Sequence, residues 1–217
     1  MLVAAAVCPP TPLVLLEMPD LRSACRTAIA ALREARPDAL IVVGGADATG
    51  AYAGGAAGTL RPWGLDLTAG TGEPVLPLSL TVARLLMGEP APDGFRSVAF
   101  DAAAGECREL GEQLAGAGER VALLVMADGS ACLGPRAPGR YDETAGPYND
   151  GIAKAIAAGD ASALAALDPG QADRLWVSGR AALQVLAGAA GTRAFDGRLL
   201  MAAAPYGVGY FAGLWAG

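Results

Sequence analysis

Histidine is absent from all 217 residues of this chain, lysine occurs only as Lys154 and asparagine only as Asn149. The lack of imidazole removes the ordinary acid–base group of neutral pH and the commonest nitrogen ligand of metals. Basic runs and arginines interleaved with aromatics are also lacking. With 16 basic against 22 acidic residues and a net charge of −6, nucleic acid is not an expected partner. Mean hydropathy is positive, yet no apolar run reaches the roughly 18 residues of a spanning helix, so no membrane partner is expected. Met1 to Val7 has no basic region and is shorter than the apolar segment of a signal peptide. Val7 is too bulky for the small-residue position before a lipid-modified cysteine. The expected location is cytoplasmic. Cys8, Cys25, Cys107 and Cys132 form no C-x-x-C pair and no zinc-like spacing, which predicts reduced thiols, with Cys25 and Cys107 as small hydrophobes on helices.

What the chain does have is small and apolar residues. Hydrophobic residues make up 53% and charged residues 18%, the balance of a folded globular protein. Alanine, glycine and arginine are used as a GC-rich genome would use them. The length suits one domain with a sizeable core, and no linker or internal repeat divides residues 1–217.

Leu2 to Val7 is a short apolar run closed by prolines and is predicted to be a buried strand. Asp20 is placed to cap the next helix, where Leu21, Cys25, Ala28, Ile29 and Leu32 recur at helical spacing until Pro37. Ala39 to Val43 is a second buried strand, stopped by Gly44-Gly45. Ala46 to Gly72 is long for a loop and is expected to be functional or to hide short strands, Trp63 to Leu67 among them. Further elements are a helix over Leu78–Met87, a strand over Phe95–Phe100, a helix over Ala102–Ala117 and a strand over Val121–Met126. After a loop from Gly134 to Pro147 come helices over Tyr148–Ala158, Ala161–Leu167 and Gln171–Ala187. An antiparallel strand pair, Arg198–Ala204 and Tyr210–Trp215, closes the chain. This alternation predicts an α/β fold: a three-layer α/β/α sandwich with a mostly parallel or mixed central sheet. The apolar strand ending in Trp215 is expected to be covered, by the protein's own helices or by a second copy in a homo-oligomer.

Four segments then combine. They are Cys8-Pro9-Pro10-Thr11-Pro12-Leu13 with Glu17, Val42-Val43-Gly44-Gly45-Ala46-Asp47, Val125-Met126-Ala127-Asp128-Gly129-Ser130 and Ala204-Pro205-Tyr206-Gly207-Val208-Gly209-Tyr210-Phe211. Tyr148-Asn149-Asp150, leading to Ala158-Gly159-Asp160-Ala161, adds a fifth. In order and spacing they resemble the B-subunit-like branch of the class III extradiol ring-cleavage dioxygenases, in a form typical of actinobacteria. The resemblance spans nearly the whole chain and implies that family's fold. It also marks a departure. The family's first motif reads Cys-Pro-His-Pro-Pro, and its histidine falls on Pro10. A second histidine is expected near Asp47 or Ala48, and a carboxylate completes the iron site. Non-haem Fe(II) oxygen chemistry needs two imidazoles and a carboxylate, so ring cleavage is not expected and no cofactor is assigned.

Ligands of open α/β sheets bind beyond the C-terminal ends of the parallel strands. The candidate cleft therefore takes Cys8, Pro10, Asp47, Asp128 and Ser130 from strand ends, with Tyr206 at the break in the last strand pair and Glu17 nearby. The leading reading is a pseudoenzyme or small-molecule-binding protein that has lost its iron. Two enzymatic alternatives stay open. In one, Asp47 and Asp128, with Glu17, hold a hard divalent cation. In the other, the Cys8 thiol acts with Tyr206 or Asp47.

Overall fold

Val121–Met126 is apolar at every position, and a strand with two apolar faces needs cover on both. The computed structural model, which describes residues 1–217, places this strand at the centre of a seven-stranded sheet. In chain order the elements are β1 (Leu2–Cys8), α1 (Leu13–Leu16), α2 (Pro19–Glu34), β2 (Ala39–Ala46), β3 (Gly50–Ala53), β4 (Ala56–Thr59), β5 (Thr68–Ala69), β6 (Thr71–Pro74), α3 (Leu78–Met87), β7 (Gly94–Ala99), α4 (Ala104–Ala115), β8 (Val121–Met126), α5 (Ala145–Ala158), α6 (Ala161–Ala165), α7 (Pro169–Arg174), α8 (Arg180–Ala190), β9 (Asp196–Ala203) and β10 (Tyr210–Ala216). The sheet runs β3-β7-β2-β8-β1-β10-β9. Its inner strands β7, β2, β8 and β1 are parallel, while β3, β10 and β9 join antiparallel, so the sheet is mixed.

Side-chain alternation sorts the core into two layers. Ala5, Val7, Val43, Leu123 and Val125 face one way, against α4 and α8. Ala4, Ala6, Val42, Leu124 and Met126 face the other, against α2 and α3. Leu123 and Leu124 are both fully buried, on opposite faces, and each such side chain contributes roughly 2 kcal/mol of transfer free energy. No helix is long and apolar enough to cross a membrane.

Local expectations meet four corrections. Asp20 lies in the first turn of α2, and Met18 occupies the cap position without a side-chain bond. Gly44-Gly45 do not stop β2, which runs on to Ala46. They are glycines because neighbours press on the strand: an added Cβ would lie 2.5 Å from Ser79 Oγ at Gly44 and 2.5 Å from the Phe100 ring at Gly45. The stretch after Ala46 does hide strands, β3 to β6, but Arg61–Trp63 is a 3-10 turn and Leu65 to Leu67 are outside them. The helix expected over Gln171–Ala187 is two helices, α7 and α8, with a break at Leu175–Gly179. At the chain end, Trp215 is covered by the protein's own elements. It is 1% exposed, donates its indole N–H to Ile156 O at 2.8 Å and stacks on Phe195 with ring centroids 5.8 Å apart.

Candidate functional site

The four parallel strands end on one side of the sheet, and a cavity of about 880 Å³ opens there. Its size falls in the range of small-ligand sites. Pro10 and Thr11 enter it from the turn after β1, Gly45 from β2, Phe100 and Asp101 from the turn after β7, and Met126 and Asp128 from the end of β8. The end of α7 and the α7–α8 break line it through Asp173, Trp176 and Ser178.

Asp128 is the most constrained group at the floor. Its backbone forms an isolated antiparallel bridge with Tyr210, and Gly129 N–H donates to Gly209 O at 2.7 Å. The start of α8 packs against the same backbone. An added Cβ at Gly179 would lie 2.4 Å from Asp128 O. The side chain accepts from the Ser178 hydroxyl at 2.6 Å. Burial pushes the carboxyl up to about 6, against the opposing pull of Ser178 and the backbone amides of Asp128 and Gly179. None of the ion pairs in the chain involves it. The neighbouring Tyr210 phenol is also raised, chiefly by burial.

Trp176 has φ 52°, in the left-handed region where a bulky residue is strained. The reason is local. Trp176 N–H donates to Asp173 O at 3.1 Å and Val177 N–H to Ala172 O at 2.8 Å, the paired bonds that close a helix C-terminus. Glycine usually holds this position. Here an indole holds it, 58% exposed over the cavity. Such strain persists only where the surroundings impose it, and it concentrates at functional sites.

Arg180 is the only basic residue in the lining and is 4% exposed. Its guanidinium donates to Phe100 O at 2.7 Å, to Ala102 O and to Gln184 Oε1 at 3.1 Å. Gln184 in turn donates to Ala165 O and Leu167 O. The charge is thus bound to protein carbonyls.

The sequence candidates divide. Pro10 and Asp128 line the cavity, and the other five do not. Cys8 stands level with Met126 and faces the same layer, but it is fully buried beneath Cys25 of α2, and contact with the Cys25 thiol together with burial pushes its own thiol well up; it is packed, not poised. Asp47 is exposed on the connection beyond β2. Glu17 accepts from the Tyr206 hydroxyl at 2.8 Å, an exposed contact that raises the phenol. Ser130 is fully buried; its hydroxyl donates to Leu175 O at 2.7 Å and accepts from Cys132 N–H at 3.0 Å, so it fastens the α7–α8 break from beneath. Sequence reasoning missed Phe100, Asp101, Asp173, Trp176 and Ser178. The one available signal was Ser178-Gly179, a helix-breaking pair inside an apolar helical pattern.

The iron that the resemblance implies does not fit these residues. Proline occupies one ligand position, Asp47 lies outside the cavity, and no three Cys, Asp or Glu side chains converge as a metal-holding group. Of the carboxylates in the divalent-cation alternative, Asp128 lines the cavity and Asp47 and Glu17 do not. Burial removes the base-assisted thiol alternative.

No family model and no curated protein matches the chain. Among the solved structures that match is an uncharacterized protein, JW3007, from Escherichia coli K12. It is 16% identical, with a TM-score of 0.61, over 99% of this chain and 100% of that one. At that identity the likeness is one of fold, and it extends over the full length of both chains.

Proposed function

We propose that this protein is a histidine-free relative of the class III extradiol dioxygenases that binds a small organic ligand in place of iron and catechol. The strained, exposed indole of Trp176 over a cavity with a pinned carboxylate at its floor carries this reading. A protein that kept the cavity only as a relic would have no reason to retain a tryptophan where glycine costs less. The position of the cavity, beyond the carboxyl ends of the parallel strands, is where open α/β sheets take ligands. The motif order described above supports the family assignment. Two measurements test the proposal. Protein grown with added iron is expected to carry no stoichiometric metal and to leave catechol uncleaved. A panel of small aromatic and heterocyclic metabolites, screened by thermal shift, is expected to contain ligands whose effect is lost in Trp176→Gly. One iron per chain, removed by Asp128→Asn, would overturn the first part. A panel hit unaffected by substitutions in the lining would overturn the second.

A further inference from the structure

The chemistry of the lining says more than that a ligand fits. Three carboxylates face the cavity, Asp128 at the floor and Asp101 and Asp173 at the exposed rim. Arg180, the one cation in the lining, is engaged with the carbonyls of Phe100 and Ala102 and the amide oxygen of Gln184. So Asp128 has hydrogen-bond donors but no positive partner. A partly buried carboxylate in that state is energetically incomplete, and a cation brought by the ligand would complete it. The aromatic groups point to the same class. Trp176 and Phe100 both line the cavity and are 58% and 46% exposed. Aromatic faces attract cations as well as flat rings, and tryptophan does so most strongly. An anionic ligand would meet three like charges.

Resting on the ligand-binding reading above, we infer that the cavity selects a small organic cation with a planar body, its ammonium directed to Asp128 and its apolar plane packed on the aromatic groups of the lining, Trp176 and Phe100. The indole of Trp176 is then a specificity element, and the unpaired state of Asp128 is a vacancy for charge that the ligand fills. Asp101 and Asp173 would add long-range attraction at the rim, which salt weakens.

The test compares three probes of one shape by titration calorimetry at pH 8: 2-phenylethylamine, 2-phenylethanol and phenylacetate. The amine is expected to bind at least about tenfold more tightly than the alcohol, with phenylacetate weakest. Asp128→Asn is expected to erase the preference for the amine over the alcohol while leaving the alcohol's affinity in place. Trp176→Gly is expected to weaken the amine about tenfold, and Trp176→Phe to restore most of that loss. Circular dichroism of each variant checks that it is folded. If the alcohol or phenylacetate binds as tightly as the amine, or if the preference survives Asp128→Asn, the cation inference is overturned and the ligand-binding reading stands. If none of the three binds at millimolar concentration while the metabolite panel yields Trp176-dependent hits, the inference again falls alone. If the panel is also empty, both fall.

Discussion

Two adjacent parallel strands run out through the same dipeptide: Ala46-Asp47 at the last residue of β2, and Ala127-Asp128 just beyond β8. Read as sequence, the two aspartates are equivalent. In the structure one is a solvated loop residue and the other is the floor of a cavity. Register explains the difference. Val43 pairs with Val125 and Gly44 with Met126, so carrying the ladder forward sets Asp128 level with Ala46 and leaves Asp47 one residue further out. One residue along a strand is also a change of face. Support differs as well. Asp128 is gripped by Ser178, by the backbone of Gly179 and by the bridge to Tyr210, whereas no side-chain hydrogen bond holds Asp47. A one-residue offset is enough to sort two matching motifs into opposite roles.

The largest expected effect lies in the charge at the floor. Asp128 is raised from 3.8 to about 6 on folding, so the native state binds its proton more tightly than the unfolded chain does. Its contribution is therefore most favourable below pH 4 and declines as pH rises through about 6. Asp128→Asn keeps the acceptor for Ser178 without the charge. It is expected to be more stable than the natural protein by about 3 kcal/mol at pH 8, and equal to it below pH 4. Urea midpoints across that range measure the difference; a gap that does not change with pH would show that burial is not the cause. Next comes Gly179→Ala, which puts a methyl against the Asp128 backbone and is expected to cost about 2 kcal/mol. An unchanged urea midpoint would mean the α8 start is not clamped to the floor. Trp176→Gly relieves a left-handed residue and is expected to stabilise by about 1 kcal/mol, net of the entropy that glycine adds to the unfolded chain. Calorimetry showing a lowered melting temperature would instead assign the indole a packing role. Asp47→Asn is the smallest, within about 0.5 kcal/mol, because the group is exposed and unsupported. A pH-dependent effect as large as that at Asp128 would erase the contrast between the two strand ends.

Legibility followed the range of the interactions involved. Val121–Met126 and Leu78–Met87 are read correctly to the residue, because an unbroken apolar run and a helical stripe are local signals. Gly44-Gly45 misled because their small size answers to Ser79 and Phe100, which are distant in sequence. The α7–α8 break was hidden by an apolar pattern that continues across it, and Trp176 conceals a turn that glycine would have announced. Pro10 and Asp128 were legible as strand-end residues. Which of the neighbouring strand-end groups joins them depends on register and on what covers each side chain. Cys8 is covered by α2 and Asp47 has the wrong register, and neither property is written in the residue itself.

The hydrogen bonds of Arg180 have a mechanical consequence. One guanidinium fastens the turn carrying Phe100 to the start of α8, and through Gln184 the same fastening reaches the connection between α6 and α7. The segments carrying the two aromatic groups therefore belong to one stiff frame. Such a frame fixes where the segments carrying Phe100 and Trp176 stand relative to each other, so the lining is set before any guest arrives.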